Sequence, residues 1–385
     1  MKILRPVLFI TVALVLALPS GAQDNKGFVL RVIDKLTAPS RELNPDAVYQ
    51  PAPRWTFALT GDFRQAGITQ NNAFKTKVAS FDETGLHEED VPALVSSKLN
   101  SAVNKGMGFQ AGYGNLSLAL SKTFGSGGTD NVFSFDYLSA GYAAQLQFFN
   151  LSHPVEYKET LAEEGHWSYD HEYGVTKNPG RLRASIVDAF YAFNRRTFAY
   201  SAAYKGNLFQ KQSAGSWMLG GKLILSEFSI DPSELIALIS GGQARHTSAQ
   251  VSFGGGYSYN YVPFHRQPYG DRDKGLRNLT VNLTFLPMVT FFNQFTATSY
   301  HDAGDGVYEE VRKDVMNGKL LVNYVSRFGI GYSYDLFTAN LSFSNDSFSY
   351  KGTSSFAFFG ILDNKVQTSG IFYRWTVALR LGMRF

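Results

Sequence analysis

The chain has 385 residues, with 36 Lys and Arg against 32 Asp and Glu, 32 Phe, 21 Tyr, 36 Gly and 0 Cys. Charged residues make up 18%, below the ~25% of ordinary soluble domains, and a formal net charge of +4 is too small to argue for nucleic acid. The lack of cysteine excludes a disulfide framework, thiolate metal sites and lipid attachment at cysteine.

Lys2 and Arg5 precede an apolar stretch from Val7 to Leu18, followed by Pro19-Ser20-Gly21-Ala22. This is the pattern of a secretory signal peptide, residues 1–22, cleaved after Ala22. A spanning helix needs ~20 apolar residues, and no segment of the chain supplies them. In residues 23–54, Phe28, Val29, Leu30, Val32, Ile33 and Leu36 could form a short amphipathic element, and Pro51 and Pro53 end it. Two readings stay open for this segment: a periplasmic leader, or a small plug in the mouth of a barrel that begins at Trp55.

From Trp55 onward a two-residue beat dominates, the mark of strands whose two faces meet different surroundings. Trp55, Phe57, Leu59 and Phe63 alternate with Thr56, Ala58, Asp62 and Arg64. The same beat recurs from Leu116, from Phe133 and from Tyr142. It is ambiguous at 182–193, returns at Phe198, Tyr200 and Ala202, and runs on from Trp217, Val251, Leu320 and Phe337. In the closing stretch, Ile371, Tyr373, Trp375, Val377, Leu379, Leu381, Met383 and Phe385 form one apolar face, and Arg374, Arg380 and Arg384 lie on the other. The fold class is all-β: a transmembrane antiparallel up-and-down barrel over residues 55–385, of about 14 strands, with 12 or 16 as alternatives. Its expected place is the bacterial outer membrane, with both termini periplasmic.

Loop lengths sort the connections. Segments 70–103, 125–131, 153–181, 208–213, 263–277, 301–315 and 352–367 are expected outside. Turns at 113–114, 139–141, 194–196 and 335–336 are expected inside, together with 231–246, where Ser233-Glu234 opens a short helix over Leu235 to Ile239. Leu286-Pro287-Met288 is expected to break one apolar run into a hairpin, since proline cannot join a central ladder.

The block Phe193-Asn194-Arg195-Arg196-Thr197-Phe198-Ala199-Tyr200, with Gln210 to Ser216 and Leu219-Gly220-Gly221, resembles a Bacteroidetes-type family of uncharacterised outer-membrane proteins. That family is catalogued as domain-of-unknown-function family 4421. Gly331-Tyr332-Ser333-Tyr334-Asp335 followed by Phe337 to Tyr350 is similar as well, and the likeness covers roughly residues 45–385. It implies an outer-membrane barrel and brings no activity, ligand or catalytic residue.

Phase assigns Asp62, Arg64, Asp136, Lys222, Lys319, Arg327, Arg374, Arg380 and Arg384 to the lumen. Facing lipid near the midplane, each Arg or Lys would cost about 2–4 kcal/mol. Two readings are open: a polar pore favouring anions, or a lumen cross-braced by Arg–Asp pairs and water. Asn-Leu-Ser/Thr recurs at Asn115, Asn150, Asn278, Asn282 and Asn340, with Leu expected toward lipid and Asn inward. Tyr373, Trp375, Leu379, Leu381, Met383 and the terminal Phe385 resemble the sorting signal read by the outer-membrane insertion machinery. That machinery, outer-membrane lipid and lipopolysaccharide are the expected partners, with an envelope protein partner left open.

Chemistry is thin. His153, His166 and His171 share an acidic loop with Glu156, Glu159, Glu163, Glu164, Asp170 and Glu172, but no His-Glu-x-x-His appears. A solvated acidic loop is the plainer reading there and at His87-Glu88-Glu89-Asp90. Gly254-Gly255-Gly256 falls within a strand and is no phosphate cradle. No catalytic, cofactor or metal residue is assigned, and no cofactor is expected. Passive transport through the lumen is the leading function. The alternatives are a non-conducting adhesin or envelope component, and a rim hydrolase built on the 153–172 loop.

Overall fold

The computed structural model describes residues 43–52, 55–82, 85–101, 103–124, 129–163, 166–240, 242–269, 274–318, 321–358 and 362–385. The signal-like stretch 1–22 and Lys319 lie outside them. In chain order the strands are β1 (Val48–Tyr49), β2 (Trp55–Asp82), β3 (Gly85–Asn100), β4 (Asn104–Tyr113), β5 (Leu116–Phe124) and β6 (Thr129–Leu138). Then come β7 (Tyr142–His153), β8 (Val155–Glu163), β9 (His166–Val175), β10 (Gly180–Ala192), β11 (Phe209–Gln210) and β12 (Ala214–Ser229). The last six are β13 (Gln243–Arg266), β14 (Arg277–Asp302), β15 (Tyr308–Asn317), β16 (Leu321–Tyr334), β17 (Phe337–Phe358) and β18 (Leu362–Arg384).

Among the described residues, twelve strands close an antiparallel ring in the order β2, β4, β5, β6, β7, β10, β12, β13, β14, β16, β17, β18. The last strand pairs with the first from Gln367↔Ala73 to Arg384↔Thr56, and the Phe385 N–H bonds to the Trp55 carbonyl. A closed ring leaves no sheet edge, which is the condition for strands to cross hydrocarbon. The outward residues are apolar along each strand, among them Leu59, Phe109, Leu118, Leu283, Val322 and Leu381, all exposed. At one rim the outward residues become aromatic: Trp55 packs on Tyr113, Tyr142 on Tyr191, and Trp217 on Tyr257. Such a girdle marks the level where ring and headgroup meet.

That rim is the turn end. It holds Gly114, whose positive φ of 56° makes the tight β4–β5 turn, and Asp335 at φ 50° between β16 and β17. The opposite, loop end carries ladders that outrun the barrel. β2 continues into β3, which pairs β8, which pairs β9. Segments 70–103 and 153–181 therefore form strands where loops were expected. The sequence carries no sustained apolar beat there, while the backbone pairing runs on from Gly67↔Asn100 to Asp82↔Gly85.

The ring holds 12 strands because two expected strands do not form. Phe198, Tyr200 and Ala202 do not start a strand: residues 194–213 fold inward at the turn end around a 3₁₀ turn, Tyr200–Ala203, all four of its residues buried. The turn expected outside at 208–213 is part of this insert. Pro287 does not make a hairpin either, and β14 runs through it, pairing Pro287 with Tyr324. Opposite lies the glycine run: a Cβ on Gly254 would sit 2.0 Å from the Pro287 carbonyl oxygen, and one on Gly256 2.0 Å from that of Phe285. Bare glycine backbone lets the two chains close in where proline has removed a donor. Loss of the first strand inverts the side of the next two connections, and loss of the second restores it. The segment around the short helix α1 (Leu235–Ile239) thus lies at the loop end, and residues 267–269 and 274–276 lie at the turn end, where the Asp335 N–H bonds to the Leu276 carbonyl.

Candidate functional site

The inside of the barrel is the natural place to look for a site, because the lumen collects most of the chain's buried polarity. Three charged layers stack along it. Toward the loop end, the Arg64 Nε lies 3.0 Å from Asp130 and 3.3 Å from Asp62, and the Ser121 hydroxyl donates to Asp62. In the middle, Lys222 pairs with Asp346 and lies 3.5 Å from Asp188, which also takes Arg327 at 2.9 Å. Nearer the turn end, Arg380 donates to the Tyr204 carbonyl at 2.8 Å beside the buried Asp136. Arg374 donates to Gln147, and Arg384 donates to the Asp335 carbonyl. Several cations also cover ring faces: Arg374 over Phe149, Arg327 over Phe190, Arg384 over Phe209. Of the nine charges assigned to the lumen by phase, the structure buries Asp62, Arg64, Asp136, Lys222, Arg374 and Arg384 and partly buries Arg327 and Arg380.

These contacts cross the lumen. Around the ring, β7 and β18 stand five strands apart, yet the Phe149 and Phe372 rings meet at 5.5 Å and Arg374 reaches Gln147. Gln70 of β2 meets His246 of β13 at 3.2 Å, again five strands apart. A round ring of this strand number, at ~4.8 Å per strand and ~40° of tilt, would hold opposite backbones about 24 Å apart. Facing rings in contact mean that the wall is pinched. The pinch encloses an apolar cluster: Phe348 stacks on Phe372 at 4.2 Å, Phe295 on Tyr350 at 4.8 Å, and His246 on Phe295 at 5.5 Å.

The 194–213 insert closes the turn end. Its anchor is Gln210, wholly buried. Gln210 Oε1 accepts from the Ala199 N–H and from Asn260, and Gln210 Nε2 donates to the Thr197 carbonyl. Barrel asparagines hold the rest. Asn278 donates to the Gln210 carbonyl, Asn340 to the Ala203 carbonyl, and Asn282 accepts from the Tyr204 hydroxyl. With Asn115, which accepts from Asn207 Nδ2, four of the Asn-Leu-Ser/Thr triplets supply fixings for the insert, a role their sequence did not disclose. Asn150 departs from the expected phase: its neighbour Leu151 is wholly buried, so there the leucine faces inward. Residues 43–49 add a last layer, β1 pairing with β11 while Ala47 and Val48 pack on Ala199 and Leu208. Within the insert, burial pushes the Lys205 ammonium down to about 7, against the pull of Asp136.

In the closing strand, Tyr373 donates to Asn100 and Trp375 to Gln65, while Leu379, Leu381 and Phe385 are exposed and Met383 is half-buried. The side chains of His166, His171 and His87 lie outside the described residues. His153 Nδ1 lies 3.1 Å from the neighbouring Pro154 carbonyl oxygen. Among the described residues no group of three or more His, Asp or Glu could hold a metal ion.

Several solved structures are similar in outline. The outer membrane protease OmpT from Escherichia coli aligns at 8% identity and a TM-score of 0.41, over 86% of this chain and 97% of that one. The toluene transporter TodX of P. putida aligns at 7% identity and a TM-score of 0.22, over 86% and 90%. None of the curated proteins compared with the chain matches it. A family model covers residues 85–369, and by that match the chain belongs to the family described as Domain of unknown function (DUF4421).

Proposed function

We propose that this is a non-conducting barrel of the outer membrane, a structural or interaction component of the envelope whose working surfaces lie on its wall and loop-end ladders. The observation that carries the reading is the contact between opposite walls, Phe149 on Phe372 and Arg374 on Gln147, on the loop-end side of the turn-end insert. An aqueous path needs lined, hydrated space; here the charges spend their hydrogen bonds on one another and on the insert. This favours the cross-braced lumen over the anion-selective pore. The outer-membrane address draws on the apolar outer wall, the aromatic girdle and the signal-like N-terminus. The closing face with Trp375, Leu379, Leu381 and Phe385 suits recognition by the insertion machinery. The test is solute entry into proteoliposomes. Liposomes carrying the folded barrel should swell in sugars and amino acids no faster than empty ones. Size-dependent swelling would sink the reading.

A further inference from the structure

The same pinch shapes the outside. Where β7 is drawn inward by Phe149, the outer wall of β4 to β15 becomes concave and encloses a groove of about 1180 Å³. The groove follows one hydrogen-bonded row across the sheet and is flanked by two outward rows of opposite character. On its turn-end side Leu120, Phe133, Phe148, Ser185 and Leu225 stand side by side. On its loop-end side the same strands present Lys122, Asn131, Asn150, Arg183 and Glu227. Ser185 shows how deep the concavity is, for it points outward by phase yet is only 8% exposed.

The groove therefore lies between an apolar row and a charged row of the outer wall. Arg245 and Lys313 complete its upper margin. Glu227 holds two of the cations in place, Arg245 at 2.5 Å and Arg183 at 3.9 Å. Lys122, Arg183, Arg245 and Lys313 stand against Glu227 and against Glu310, which pairs with Lys313; four positive less two negative leaves two positive charges. An occupant must bring acyl chains for the lower row and negative charge for the upper one.

We propose that this groove is a lateral binding site for a phosphate-bearing membrane lipid of the surrounding leaflet, its acyl chains lying over Leu120, Phe133, Phe148 and Leu225 and its phosphate at Arg183 and Arg245. The two arginines suit phosphate because their planar forks donate to two oxygens at once, and Glu227 pre-orders them. The inference does not depend on the lumen being closed: a conducting barrel would leave it standing.

The test is native mass spectrometry of the folded full-length mature chain, released from detergent after equilibration with equal amounts of phosphatidic acid and phosphatidylcholine of matched chains. Wild type should retain one phosphatidic acid in preference to phosphatidylcholine. R183Q/R245Q should lose that preference by about tenfold or more. Phe148→Ala should weaken retention of both lipids. Inorganic phosphate at millimolar levels should fail to compete, because it lacks the chains. Equal retention of the two lipids by wild type would overturn the proposal, as would unchanged preference in R183Q/R245Q or full competition by phosphate alone. If the double variant does not fold, Lys122→Gln and the single Arg183→Gln, each predicted to weaken the preference, decide the matter.

Discussion

Lys222 on β12 sits between two carboxylates, Asp188 on the adjacent β10 and Asp346 across the lumen on β17, and its ammonium lies over the Phe348 ring. Removing the cation leaves two buried anions beside Arg327. Lys222→Met should destabilise the folded barrel by about 3–5 kcal/mol, and K222M/D346L should recover most of it, because a buried pair replaced whole costs little. Urea unfolding in detergent micelles, followed by the heat-dependent gel shift of barrels, reads both. Lys205 behaves differently, since burial lowers its pKa to about 7 from the usual 10.5. The unfolded chain binds the extra proton between those values, so the hold on the insert should strengthen as pH rises from 7 toward 10. Below 7 the cost is fully present. Hydrogen exchange of residues 198–210, corrected for the intrinsic pH dependence, should slow over that window; protection that falls or stays flat would contradict the assignment.

At the level of elements, the pairing of a glycine run with a proline decides how many strands the barrel has. Gly254→Val would drive its Cβ against the Pro287 carbonyl and should cost at least about 1–3 kcal/mol. Gly61→Ala, with nothing within 4 Å of the new atom, should change stability by less than about 0.5 kcal/mol. Chemical denaturation of the two variants checks the contrast. The alternation made the barrel legible, because lipid on one side and the interior on the other impose a period of two. Phe198, Tyr200 and Ala202 carry that same period for another reason, as an apolar insert buried on every side, and no local pattern separates the two cases. Pro287 misled in the opposite direction, since the compensation lies in Gly254 and Gly256, distant in sequence. The asparagines that hold the insert were visible only as inward-facing polar residues. Asn278→Ala with Asn282→Ala should loosen residues 198–210 by about 1 kcal/mol for each bond lost, measurable by hydrogen exchange.

For the whole molecule, one deformation accounts for both faces of the wall. Drawing β7 toward β18 brings Phe149 onto Phe372 inside and hollows the groove bounded by Phe148 and Arg183 outside. Strands alone would leave a ring of this size a wide lumen; side chains of opposite walls meet within it, and the insert folds into its turn end. A barrel of this build suits a fixed, stable platform carrying strand ladders beyond the bilayer on one side. The most direct test is single-channel recording on the folded mature chain in planar bilayers across ±150 mV, about 3.5 kcal/mol per elementary charge. A closed lumen predicts a flat baseline with no conductance steps, over protein shown by its gel shift to be folded. Sustained ohmic steps from folded wild-type protein would contradict it.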